Sequence, residues 1–504
     1  MALGVFVDWR GNTINREVHG GVRAAWFLYV LTVVTNVVII PNVLNMVTYL
    51  HGTMHMGISG SVTTAANFFG ATSGFAMIGA FLSDSYITRS RTILLFGPFM
   101  FLGYGLLALQ AHLPSLHPPP CNVEAELNNC KEVHGLILIV WLENYKGWDI
   151  GLGLCAVLII LGLLIVAAGL PFYRNQVPEG SPLTRILQVL VVTFRNMKLE
   201  APENLEEAQK INAEAGTGSV DAPSQTSSLK FLNKACINRG KNGAWSVCSA
   251  TKVEETKIVL RFLPIFISSM IGYISNIILF TFTVQQGGMT NTRLGKIHVE
   301  PATLFVIPII FQMLMLAIYD QFIVRLLRRR TGYIGGITHL QRIGIGFAAM
   351  VLATVIAAVV EKKRKEAVVQ MSIFWLAPQF ILLGMSDVTS FTGLLEFFNS
   401  EAPRGMKSIG TALFWCDLGL ASLMATFLVD AVNRATRHGH QQGWLEGTTL
   451  NSSHLDWFYW VVSVVGLLGF FNYLYWAKKY VYRNNQRIAK PTVGVEPMVD
   501  QDSP

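Results

Sequence analysis

Apolar runs of membrane length alternate with short polar stretches along most of the chain, at roughly 24–50, 60–82, 92–112, 150–172, 258–285, 301–326, 338–360, 372–398, 407–432 and 455–478. A helix needs ~20 such residues to cross the hydrocarbon of a bilayer, and each run is bounded by charge, Pro or Gly. Lipid offers no partner to a free backbone group, so all ten are expected to be helices. Six runs follow a polar stretch at 173–256, and four precede it together with a block at 136–142 (LILIVWL) that is too short to cross. Residues 5–15 are polar and include Asp8, Trp9 and Arg10, with no apolar core of a cleavable leader, so the first run is expected to act as its own insertion signal.

Composition agrees, because 52% hydrophobic against 14% charged residues cannot be hidden in a soluble globule. An all-α polytopic membrane protein follows. Lys and Arg collect beside one set of loops, at Arg10, Arg16 and Arg23, at Arg89 and Arg91, at Arg325 and Arg328 to Arg330, and at Lys478, Lys479 and Arg483. That side is expected to be cytosolic. The net charge of +8 is then a property of one membrane face and calls for no nucleic-acid partner. On the opposite side fall Cys121 and Cys130, placed for an extracellular disulfide, and the sequon at Asn451, placed for glycosylation. The run EKKRK at 361–365 lands on that side too and breaks the charge rule. Cys236 and Cys248 lie in the cytosolic stretch, and their spacing is no zinc motif. Neither a metal constellation nor a phosphate loop occurs, no cofactor is expected, and no nucleophile or paired-acid arrangement points to an enzyme.

The domain order is therefore a cytosolic segment at 1–23, an N-terminal bundle at 24–172, a cytosolic loop at 173–256 that is partly disordered around 201–229, a six-helix bundle at 257–482 and a cytosolic tail at 483–504. Two helical halves joined by such a loop suggest a transporter with its site between the halves, near mid-membrane.

The stretches FLSDSYITRSRTI (81–93), GSPLTRI (180–186), KFLNKACI (230–237), VEETKIVLRFLPIF (253–266), FTVQQ (282–286), GITHLQRIGIG (336–346), LLEFFNSEAP (394–403) and LDWFYW (455–460) carry a resemblance in order along the chain. It resembles the plant nitrate and peptide transporter family, a proton-dependent oligopeptide transporter branch of the major facilitator superfamily. That resemblance implies a two-bundle fold of twelve spans. Here Gly135 leads directly into text similar to the end of a fifth helix, so a fourth helix, most of a fifth and their GADQFD-like connector are expected to be lacking, leaving about ten spans. Loss of two spans keeps the second half in its orientation.

Site residues come from the same resemblance. Gly79, Asp84 and Arg89 match the superfamily's gating loop between helices two and three, with Thr88 where a Gly is usual. Glu396 is the sharpest candidate for substrate or proton coupling, since a carboxylate within an apolar span is costly unless it faces a cavity or a partner. Asp387 stands nine residues earlier, about 180° around an ideal helix, and takes a structural role. Asp417 is a further buried acid without a family counterpart. Thr32 and Thr35 occupy the positions of the family's first-helix acids and cannot carry a proton at physiological pH. Asn276 stands where one nitrate-transporting branch has His, and Tyr273, Tyr319, Gln285 and Gln286 are polar enough to line a cavity. The expected function is secondary transport of a small anion, nitrate or a carboxylated plant hormone, linked to protons through Glu396, in the plasma membrane rather than the vacuolar one. The alternatives are facilitated transport without protons and a transport-incompetent isoform that acts as a regulator, by binding a ligand or a full-length relative.

Overall fold

The computed structural model describes residues 6–15, 19–116, 147–176, 181–199, 229–237, 245–294, 297–299, 301–333, 335–402, 407–438, 442–447 and 450–482. The 136–142 block, Cys121, Cys130 and residues 201–228 lie outside them. Among the described residues ten helices are long and apolar enough to cross a membrane. In chain order they are α1 (Gly21–Thr53), α2 (Ile58–Ser85), α3 (Arg89–His112), α4 (Trp148–Ala168), α6 (Ala250–Gly288), α7 (Thr303–Thr331), α8 (His339–Glu366), α9 (Ile373–Glu401), α10 (Ser408–Thr436) and α11 (Leu455–Lys479). Between α4 and α6 lies a shorter amphipathic helix, α5 (Pro182–Arg195), where the sequence suggested only a polar loop. Two strand pairs decorate this bundle: β1 (Phe6–Val7) with β2 (Asn175–Gln176), and β3 (Arg293–Leu294) with β4 (Ile297–His298), both antiparallel.

Local chemistry sets the helix ends. Ser181 caps α5 by accepting the Thr184 N–H, with Pro182 in the first turn. Thr338 and Gln341 form a reciprocal capping box at the start of α8. Gly332, at φ 71°, closes α7 in the left-handed conformation that favours glycine. Helix α6 starts at Ala250, ahead of the apolar run at 258, because its first turns have their own core. Val189 and Val192 of α5, Leu232 and Cys236 of the 3-10 segment Lys230–Cys236, Cys248 and Val253 are buried together. Burial pushes the Cys236 thiol up to about 12.

The two halves are unequally packed. The helices after residue 245 enclose two large apolar clusters, one around Phe282, Phe380 and Phe458 and one around Phe262, Phe347 and Phe398. The first half has two small clusters, around Val38 and Ile159 and around Ala24 and Val166. None of the most apolar stretch of α3 is buried, against 61% in α6 and in α8.

What joins the halves is α2 against α10. They run antiparallel: Asp84 faces Ser408 and Ile409 at the end where α2 stops, the Ser422 hydroxyl donates to the Ala66 carbonyl at 2.6 Å, and the Asn433 amide donates to Ser59 Oγ at 3.1 Å at the far end. Midway the backbones touch. A Cβ on Gly419 would lie 2.9 Å from the Gly70 carbonyl oxygen, and one on Gly70 would lie 3.0 Å from that of Gly419.

At the far end the EKKRK run is absorbed by the protein. Glu361 is fully buried and pairs with Arg364 at 2.8 Å, Gln286 donates to the same carboxylate at 2.9 Å, and Arg364 reaches Asn451 Oδ1 at 2.7 Å. Lys365 binds Asp456 at 2.7 Å. Three of the five charges therefore meet partners inside the fold, which relieves the conflict with the charge rule.

Gly419→Ala is expected to force the seam apart and lower stability by about 1–3 kcal/mol, the usual cost of overpacking. Gly74→Ala, where nothing stands within 4 Å of an added Cβ, should leave it unchanged, as thermal unfolding in detergent will read. The buried, high-pKa Cys236 thiol should resist maleimide at neutral pH until the protein unfolds.

Candidate functional site

The site is built on α9, whose middle is wound as a π-helix at Asp387–Phe391. Such single π-turns inside α-helices are frequent at functional sites. Arg342 of α8 donates Nη2 to the Val388 carbonyl within it at 2.9 Å. The same guanidinium donates Nη1 to Glu396 Oε2 at 3.0 Å and lies over the Tyr319 ring of α7, 5.0 Å from its centroid. His339 Nδ1 approaches the same carboxylate oxygen at 3.4 Å. The bulge comes this close because α8 has glycine there: a Cβ on Gly346 would stand 2.6 Å from Ser390 Cβ.

On the other face of the π-segment, Asp387 accepts from two amides, Gln312 Nε2 of α7 at 2.9 Å and Asn276 Nδ2 of α6 at 3.4 Å. Tyr273, one turn before Asn276, donates its hydroxyl to Ser390 at 3.3 Å, and Ser390 in turn shares a hydrogen with Ser386 at 3.1 Å. Polar contacts therefore run from the middle of α9 to Glu396, five residues before the helix ends.

Several expectations change. Glu396 faces partners rather than an apolar wall, but it stands half-exposed near the end of α9 and not at its middle. Asn276 and Tyr273 are brought to Asp387 and Ser390, not to Glu396. Asp387, given a structural role from the sequence, is the acid at the centre of the span. Gln285 lies two and a half turns beyond Asn276, too far to join it, and its buried amide atoms meet no hydrogen-bond partner among the described residues. Gln286 belongs to the Glu361 network. Thr32 and Thr35 both donate back to carbonyls of their own helix, Leu28 at 2.9 Å and Leu31 at 2.8 Å.

In the gating loop Asp84 is nearly buried, 3.7 Å from Arg89, and points at the first residues of α10, where free backbone N–H groups favour an anion. Gly79 and Arg89 line a cavity of about 1020 Å³ between α2, α3 and the adjoining ends of α9 and α10, otherwise walled largely by Phe75, Phe96, Phe99 and Trp415. Reading the sequence passed over Gln312, Arg342 and His339. A single amide in the apolar run VIPIIFQMLMLAI was the available signal for Gln312, because a polar group in a span needs a partner.

A helical bundle of this architecture, with a buried acid and a bridging arginine between its helices, is that of a solute transporter. The profile of the POT family, PTR2, matches residues 134–445. Protein NRT1/PTR FAMILY 4.4 of Arabidopsis thaliana is 33% identical, over 94% of this chain and 90% of its own length, and Protein NRT1/PTR FAMILY 4.6 of the same plant is 31% identical over 95% and 97%. The first alignment runs over 543 positions yet uses 94% of 504 residues, so about 70 positions of that relative have no counterpart here. Among solved structures, the POT family transporter PepTSo superposes with a TM-score of 0.63 at 14% identity, covering 92% of this chain and 99% of its own, and an auto-inhibited POT family peptide transporter superposes with the same score. The chain belongs to the POT family, in its plant NRT1/PTR branch, and is a multi-pass integral membrane transporter rather than an enzyme.

Asp387→Leu would strand the Asn276 and Gln312 amides in a buried place, at about 1–3 kcal/mol for a group left unsatisfied. Asp387→Asn keeps an acceptor oxygen for one of them and should lower the thermal midpoint less.

Proposed function

We propose that this protein moves a small anion, nitrate or a carboxylated plant hormone, together with protons across the plasma membrane. The observation that carries the reading is the Arg342 bridge. One guanidinium, largely buried and with its Nε unpartnered, is shared between the Glu396 carboxylate and the carbonyl beside Asp387. A proton on Glu396 removes the charge that holds Arg342, leaving a cation free to attract an anion, so proton and anion enter together. Asp387 is the second acid of the site, and its amide partners offer donors to an oxyanion.

The test is uptake of labelled nitrate and of abscisic acid into oocytes at acid and neutral external pH, with surface protein quantified. Uptake should rise at acid pH, and Glu396→Gln should hold it at the neutral level whatever the pH. Acid-independent uptake would make the protein an uncoupled facilitator. No uptake of either solute with normal surface protein would favour the transport-incompetent form.

A further inference from the structure

Asp417 of α10 is used by nothing described so far. Its residue is 0% exposed, and the Ser269 hydroxyl of α6 is the hydrogen-bonding group at its carboxylate. The same hydroxyl also stands 2.9 Å from the Ile265 carbonyl and 3.0 Å from that of Phe266, on its own helix. No Lys, Arg or His ion-pairs with Asp417 among the described residues. The titratable groups around it are Tyr273 from α6, which also lies within electrostatic reach of Asp387 on α9, and Cys416 on its own helix. On the opposite side of α10, α2 brings Gly70, Ser73 and Gly74 against Gly419.

A carboxylate in such a place, with one hydroxyl beside it and no ion-pair partner among the described residues, is strongly penalised, and a bound proton removes the penalty. Leu or Ala would fill the position at lower cost, and its neighbours Phe414, Leu418 and Ala421 are core residues. We propose that Asp417 is a second proton-binding site of the C-terminal half, separate from Glu396 and Arg342, with Tyr273 as the polar group between it and Asp387. It sits on the helix whose other face forms the seam with α2. A tilt of α10 against α6 when that seam moves would change the surroundings of Asp417, so that its proton is taken up in one arrangement of the halves and released in another.

The inference rests on the proton-coupled reading only for its consequence in transport, so two readouts are needed. In purified protein, the infrared carbonyl band of a protonated carboxyl should be present at neutral pH, be lost in Asp417→Asn, and persist in Glu396→Gln. In oocytes, Asp417→Asn should reach the surface, since the amide is isosteric, and should move fewer protons per solute with an altered pH profile. An unchanged infrared band in Asp417→Asn overturns the proposal even where no solute is transported. A proton count and pH profile equal to those of the parent overturn it where transport is proton-driven. Parent uptake that is indifferent to pH sinks the coupled reading alone, and the infrared result still decides the binding site.

Discussion

The polar interior depends most on one backbone carbonyl that a buried cation reaches. Backbone inside hydrocarbon needs its polar groups satisfied within the protein. The π-segment Asp387–Phe391 interrupts the regular winding of α9, and Arg342 donates to it at Val388. Once the guanidinium is held there, it reaches Glu396 and faces Tyr319. The bulge also presents Ser390 to Tyr273 and Asp387 to the amides of α6 and α7. Gly346 is the permissive element, since no other residue leaves room for the bulge against α8. A backbone irregularity, and not a single charged side chain, thus organises the polar interior.

That arrangement explains which parts of the molecule were legible in the sequence. Ten spans follow from apolar length alone, because bilayer thickness imposes a length that no soluble helix needs. Where a span gained residues, as at Ala250, the gain came from a small extramembrane core whose pattern is too short to read. The site was harder. Glu396 is conspicuous as a charge in an apolar run, but charge says nothing of depth, and it lies near the helix end. The angle that set Asp387 on the far face from Glu396 assumes an uninterrupted α-helix; the π-turn between them breaks that periodicity, and nothing in DVTSF announces it. Arg342 looks like part of a basic helix start until its partners are known.

The α2–α10 seam makes a second constraint. Direct contact of the Gly70 and Gly419 backbones leaves little slack at the middle of the interface, while its two ends are polar: Asp84 with Ser408 and Arg89 at one, Asn433 with Ser59 at the other. A glycine crossing flanked by exchangeable hydrogen bonds is suited to rocking about its centre, since the close contact can act as a pivot while either end parts. The cavity lined by Gly79 and Arg89 borders one of those ends.

Binding and movement are therefore unequally divided between the halves. Every acid and cation of the cluster around Arg342 lies after residue 245, in the half that carries both large apolar clusters, while the gating pair Asp84 and Arg89 lies in the first half. The first half offers Thr32 and Thr35, whose hydroxyls are already spent on their own helix, and a small core. On the proposed coupling, the acids that take up a proton draw their partners from the C-terminal half, whereas carrying it across needs both halves to rock. Damage to the first half should consequently fall on transport before it falls on binding, because the Arg342 bridge takes none of its hydrogen bonds from there.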